Sequence, residues 1–216
     1  FHQLGPITVD DDGNRYFIDG LGTDGSGATA IRKIDPLGQV RTLADGSAGF
    51  SLALTGIAWG GGKLLYVTDQ LNCSIWSVDI DTGETKAAFS EGPCLASTTT
   101  LKGPTGIVRV QLTDSAAKSA DFFVADDQVI KRYRPGASGP QITAQCGLKD
   151  GVAEGPCLAT NMAAFDLSWD QSTQTLYFRQ GPGIYRYEVS PLGPVSKIAG
   201  AEATLKRADD RALIAL

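Results

Sequence analysis

Residues 5–46, GPITVDDDGNRYFIDGLGTDGSGATAIRKIDPLGQVRTLADG, decide the fold, because the same grammar returns three more times along the chain. Ile7-Thr8-Val9-Asp10 reads as a strand, Asp12-Gly13-Asn14 as a turn, and Tyr16-Phe17-Ile18-Asp19 as a second strand closed by an acid. After a Gly-rich connection, Ile31–Asp35 alternates as a third strand. Pro36-Leu37-Gly38 then turns the chain into a fourth, Gln39–Leu43. Four short strands joined by tight turns form one antiparallel meander. Such a sheet cannot bury both of its faces alone and needs neighbours like itself.

Working outward, the first strands recur as ITVD, IAWG, IVRV and LSWD, beginning at Ile7, Ile57, Ile107 and Leu167, at spacings of 50, 50 and 60 residues. Each follows a turn-like pair: Gly5-Pro6, Thr55-Gly56, Thr105-Gly106 and Phe165-Asp166. Second strands recur at Tyr16–Asp19, Tyr66–Asp69, Phe122–Asp126 and Leu176–Arg179, the last followed by Gln180 in place of the closing acid. Third strands at Ile31–Asp35, Ile75–Asp79, Ile130–Arg134 and Ile184–Glu188 alternate with period two. Turns around Gly38, Gly83, Gly139 and Gly193 lead to fourth strands at Gln39–Leu43, Glu84–Phe89, Gln141–Ala144 and Val195–Ala199. A second register repeats independently in the connectors: Glu91-Gly92-Pro93-Cys94-Leu95-Ala96 and Glu154-Gly155-Pro156-Cys157-Leu158-Ala159. The units differ where loops should differ, at Gly20–Thr29 in the first and Thr113–Ala120 in the third.

Four-stranded units at this period stack radially as the blades of an all-β propeller. The reading places blades at about 5–46, 55–90, 105–147 and 165–200. Residues 201–216 form a tail or the start of a further blade.

The words ValAsp-x-x-GlyAsnArgTyr (9–16), IleArgLysIleAsp-Pro-x-Gly (31–38), ThrLeuAla-x-Gly (42–46) and LysAspGly-x-Ala (149–153) resemble the NHL repeat. The resemblance covers nearly the whole chain and is loosest in the third unit, where Arg109 falls in an otherwise apolar first strand. It implies a propeller whose first strands line a central channel, usually with six blades. With four units visible, the expectation is a segment of a larger ring. A complete smaller ring, or a second chain supplying the remaining blades, are the alternatives.

The chain has 216 residues and a net charge of -5. That charge disfavours a nucleic-acid partner, which needs a concentrated basic surface. The cluster Lys131-Arg132-Tyr133-Arg134 reads instead as a solvated strand face. No run approaches the length of a membrane-spanning helix.

Four cysteines beside a single histidine, without a Cys-x-x-Cys pair, read as disulfides and not as a zinc site. Three pairings are open. In a meander blade the turn between second and third strands shares a rim with the connector to the next blade, so the expectation is Cys73 with Cys94 and Cys146 with Cys157. An even number of cysteines suits an oxidising compartment, so the expectation is an extracellular or lumenal chain or the ectodomain of a membrane protein, with four free thiols in a reduced cytosolic domain as the alternative. Asn72-Cys73-Ser74 also matches an N-glycosylation acceptor. Asn is equally a turn residue, and a bonded Cys at the middle position would hinder modification.

Asp19, Asp69 and Asp126 recur at one blade position, which reads as carboxylates accepting N–H bonds in the following turn and not as a metal ring. Trp59 and Trp169 read as packing between blades. Asp10, Asp11 and Asp12 form a charged hairpin tip without the bidentate Glu of a calcium loop.

No catalytic grouping is visible, since His2 is the lone histidine. The channel positions Thr8, Ala58, Val108 and Ser168, with Ile7, Ile57, Ile107 and Leu167 beside them, carry no carboxylate. The expected function is a non-catalytic scaffold that binds a protein partner and needs no cofactor. The candidate binding rim is Asp69, Gln70 and Asn72, with the loops 20–29 and 91–103. The alternative is a metal-dependent lactonase-like or hydrolase-like propeller.

Overall fold

The computed structural model describes residues 4–20, 29–90, 94, 99–112, 120–136, 141–146, 155–156, 164–189 and 193–200. The first blade is β1 (Leu4–Val9), β2 (Arg15–Asp19), β3 (Ala30–Ile34) and β4 (Val40–Asp45). The second is β5 (Leu54–Gly61), β6 (Leu64–Asp69), β7 (Ser74–Asp79) and β8 (Thr85–Phe89). The third is β9 (Pro104–Val110), β10 (Asp121–Asp126), β11 (Val129–Arg134) and β12 (Gln141–Cys146). A two-residue strand β13 (Gly155–Pro156) precedes the fourth blade, which comprises β14 (Phe165–Asp170), β15 (Thr175–Gln180), β16 (Gly183–Glu188) and β17 (Pro194–Gly200). Every blade is an antiparallel sheet with its strands in chain order. The repeated Gly-Pro word has an unforeseen use: β13 pairs with β17, adding a fifth strand to the outer edge of blade 4. The tail 201–216 and the loop residues 21–28 and 113–119 lie outside the described residues.

Among the described residues three apolar cores lie between the four sheets. Tyr16, Ile18 and Ile31 of blade 1 pack with Leu65, Val67 and Val78 of blade 2. Tyr66, Ile75 and Phe89 of blade 2 meet Phe122, Val124 and Tyr133 of blade 3. Phe123 and Ala125 of blade 3 meet Leu176, Phe178 and Tyr187 of blade 4. This layering explains the second strands. In β10, DFFVAD, alternate side chains enter different cores, so the whole strand is buried and reads as a continuous apolar run. In β15, TLYFRQ, only one face is covered, so Leu176 and Phe178 point inward and Arg179 is exposed. The remaining face of blade 1 exposes Ile7, Val9 and Val40, and that of blade 4 exposes Phe165, Ile184 and Ile198.

The first strands come together: β1 packs beside β5, β5 beside β9, and β9 beside β14. The Thr-Gly pairs expected to turn the chain instead lie within β5 and β9. Each threonine spans a seam. Thr55 Oγ1 donates to Pro104 O at 2.7 Å, and Thr105 Oγ1 donates to Ala164 O at 3.0 Å. Gly56 is there for close approach, since a Cβ at this position would come within 2.9 Å of Gly106 Cα.

The acidic hairpin tip is also more structured than its charge implied. Asp10 is buried and accepts from Asn14 N, Asn14 Nδ2 and Tyr16 Oη at 2.9, 2.8 and 2.8 Å. Burial alone would raise its carboxyl pKa. The bonds from Asn14, Tyr16 and Asp12 outweigh that and hold it below the usual range.

The two seam glycines predict a contrast. Gly56→Ala should cost about 1–3 kcal/mol through overlap with the next blade's backbone. Gly106→Ala, whose Cβ would meet Asp166 N no closer than 3.6 Å, should shift stability by no more than about 0.5 kcal/mol. Urea unfolding of the two variants checks it; equal losses would contradict this account of the seam.

Candidate functional site

Two places in the fold gather polar chemistry, one at each end of the first strands. Where these strands begin, the turns between second and third strands share a rim with the connectors between blades. These turns shorten around the ring, from residues 20–29 in blade 1 and 70–73 in blade 2 to 127–128 and 181–182 in blades 3 and 4. The repeated aspartates sit at this rim, all three buried. Asp69 accepts from Asn72 N at 3.2 Å and Asn72 Nδ2 at 2.9 Å, in the turn that follows it. It also accepts from Ser51 N at 2.7 Å and from the Ser51 hydroxyl, in the connector that enters its own blade. Asp126 does the same with Lys102 N (2.9 Å) and Gly103 N (2.7 Å), and pairs with the buried Lys131. Asp19 accepts from Arg32 Nε at 3.1 Å. The expected turn contact is therefore only part of the role. In blades 2 and 3 the carboxylate ties the incoming connector to the end of the second strand, satisfying N–H groups that a loop would otherwise leave to water.

Asp69, Gln70 and Asn72 are thus brought together. Gln70 N donates to Ala53 O at 3.0 Å, which sets the turn beside the connector. Cys73, at φ 49°, is bonded to Cys94 across 21 residues of chain, with Cα atoms 5.4 Å apart. Cys146 is also disulfide-bonded; Cys157 lies outside the described residues. Asn72 is exposed, but its side-chain amide is engaged by Asp69, and Ser74 is buried in β7. Leu52 and Leu71, on either side of the Ala53–Gln70 bond, are 52% and 66% exposed. Apolar side chains thus stand outward on a loop held by a disulfide and a buried carboxylate.

At the other end lies the channel. A cavity of about 250 Å³ is walled in layers. Ile7, Ile57, Ile107 and Leu167 form the first, Thr8, Ala58 and Val108 the second, and Val9, Trp59 and Arg109 the third. The four repeat markers therefore do converge on the axis. Trp59 packs against the core between blades 1 and 2, and Trp169 lies edge-to-face with Phe123 at 5.7 Å, as expected of residues between blades. Arg109 stands over the Trp59 ring, its guanidinium carbon 5.0 Å from the centroid.

Nearer the rim, a smaller space of about 80 Å³ is lined in part by Pro6, Gly56, Gly106 and Asp166. Asp166 is a channel carboxylate that the reading of the first strands passed over as part of a turn. It adopts φ 51° and pairs with Arg179 at 2.8 Å. Its register beside Gly56 and Gly106, one residue before the marker, was the available signal. Among the described residues no group of three or more His, Cys, Asp or Glu side chains is placed to hold a metal ion.

The basic cluster of β11 is engaged within the sheet. Lys131 pairs with Asp126, while Arg132 and Arg134 share the buried Asp121. This corrects the solvated-face reading for Lys131, which is only 2% exposed. No helix among the described residues is long and apolar enough to cross a membrane.

Comparisons with known proteins agree with this architecture. No family model matches the chain, and no curated protein does. Among solved structures, a protein of unknown function from Bacteroides thetaiotaomicron superposes with a TM-score of 0.67 at 17% identity, over 93% of this chain and 48% of its own. A chain of a nidogen/laminin complex does so at 0.53 and 14%, over 90% and 79%. A virginiamycin B lyase from Staphylococcus aureus, solved with quinupristin, matches at 0.55 and 16%, over 94% and 57%. The relatives are six-bladed β-propellers, and this chain is an all-β propeller of four four-stranded blades that spans about half the length of the first. At such identities the fold is what is shared, and it serves binding and enzymatic proteins alike.

The rim disulfide closes a loop of 21 residues, so replacing Cys73 and Cys94 together by Ala should lower stability by about 3 kcal/mol through loop-closure entropy. Urea denaturation with and without reductant tests this. A double variant as stable as the oxidised parent would show that Asp69 alone holds the rim.

Proposed function

We propose that the chain is part of an NHL-like propeller acting as a non-catalytic scaffold for a protein partner, in an oxidising compartment outside the cytosol. The observation that carries this reading is the blade-2 rim. Asp69 and the Cys73–Cys94 bond pre-order a surface loop, so little conformational entropy remains to be lost when the exposed Leu52 and Leu71 are covered. The disulfide supports the compartment. The apolar end faces of blades 1 and 4 support a place within a larger ring, each covered by a further blade.

The channel chemistry supports a binding role over metal-assisted catalysis. Apart from Thr8 its neutral wall side chains are aliphatic and aromatic, and Arg109 beside them raises the cost of bringing a divalent ion alongside. Asp166 is the feature that favours the enzyme alternative. Calorimetric titration with Ca²⁺ separates the two: a scaffold should show no saturable heat, whereas tight binding abolished by Asp166→Asn would favour the lactonase-like reading.

For the rim itself, the parent protein and Leu52→Asp/Leu71→Asp should be compared as baits against an extracellular fraction. The partner should be retained by the parent and by Leu37→Asp, an exposed change in a β3–β4 turn. It should be lost with the double variant at unchanged melting temperature. Equal retention by all three would refute the rim.

A further inference from the structure

The far end of the channel, away from the Asp69 rim, carries an independent signal. At the third position of the first strands the four blades present Val9, Trp59, Arg109 and Trp169. Arg109 is half-buried, and its guanidinium rests over Trp59 at 5.0 Å. The seat is shaped for it. Gly61, at φ 93°, lies so close that a Cβ there would come within 3.1 Å of Arg109 Nη2. Among the described residues no acid pairs with Arg109, and its buried Nε has no hydrogen-bond partner. In the same blade, by contrast, Lys131, Arg132 and Arg134 are all paired with aspartates.

Leaving a half-buried guanidinium without an acceptor costs free energy unless something supplies one. Stacking on Trp59 orients the plane and leaves its N–H edge free. Beside it, Thr8 Oγ1 accepts from Trp59 N at 3.1 Å and retains its own proton for a ligand. Apart from Thr8 and Arg109, the side chains that line this cavity of about 250 Å³ are aliphatic or aromatic.

We infer that this cavity binds a small organic carboxylate with an apolar body, its carboxylate held by the Arg109 fork and Thr8 and its hydrocarbon part against Ile7, Val108 and Trp59. An inorganic anion would satisfy the guanidinium but leave the aliphatic walls bare. A neutral compound of the same shape would fill the walls and leave Arg109 unpaired.

The probe is 3-phenylpropionate, with its primary amide as the uncharged match, titrated into the protein by tryptophan fluorescence and calorimetry. The acid should bind saturably and the amide at least ~10-fold more weakly. Arg109→Met should weaken the acid roughly 10- to 100-fold with little effect on the amide. Arg109→Lys, which keeps the charge but loses the fork, should fall between. Equal binding of acid and amide, undiminished binding by a folded Arg109→Met, or displacement by an equal concentration of inorganic phosphate would each overturn the assignment. If Arg109→Met does not fold, the acid–amide comparison on the parent and Arg109→Lys decides it. Because the cavity and the rim lie at opposite ends of the first strands, the rim variants leave this binding unchanged, and either reading can fail without the other.

Discussion

A sheet with apolar side chains on both faces has to be covered on both, and the rest of this structure follows from that requirement. Blades 2 and 3 meet it, each lying between two cores, and their second strands are buried from Leu65 to Asp69 and from Asp121 to Asp126. Packing of this kind brings neighbouring first strands close enough that Gly56 meets the backbone of Gly106, with the Thr55 and Thr105 hydroxyls bridging the seams. Blades 1 and 4 meet the requirement on one side. Their other faces expose apolar side chains, Ile7 and Val9 in blade 1 and Ile184 and Ile198 in blade 4.

Radial packing also separates the two places where function can reside. One end of the first strands faces connectors and turns of unequal length, braced by buried aspartates and by the Cys73–Cys94 bond. The other faces a channel whose side chains come from four different blades. A blade framework sets the geometry of both without specifying their chemistry, which is why propellers of this shape include a member of a laminin complex and a lyase. The local residues carry the distinction: outward leucines on a fixed loop at the rim, and the Arg109 guanidinium stacked on Trp59 in the channel.

How much of these sites could be read from the chain depends on the distance over which each signal acts. The rim residues Asp69, Gln70 and Asn72 were visible because they repeat the position of Asp19 and Asp126 and sit beside a cysteine. Their hydrogen-bond donors were not, since Ser51 is 18 residues from Asp69 and Lys102 is 24 from Asp126. Arg109 was noticed only as an irregularity in a strand. Nothing local indicated that Trp59, in the preceding blade, would lie beneath it. Asp166 and the Thr-Gly pairs looked like turns, because the residues that turn a chain are also those that allow strands to approach closely.

The sequence by itself determined the strands, their order within each blade, the number of repeats and the hydrophobic faces. Those properties come from alternation and turn chemistry acting within about ten residues. Only the tertiary structure decided which polar groups satisfy one another, which glycine is required by a neighbour's backbone, which edge receives Gly155-Pro156, and that Arg109, without an acid partner among the described residues, stands over Trp59. The physical reason is that the hydrogen bonds between blades join residues tens of positions apart, Thr55 to Pro104 and Thr105 to Ala164 among them. Their partners are chosen by the angle at which one sheet meets the next, which no single repeat encodes.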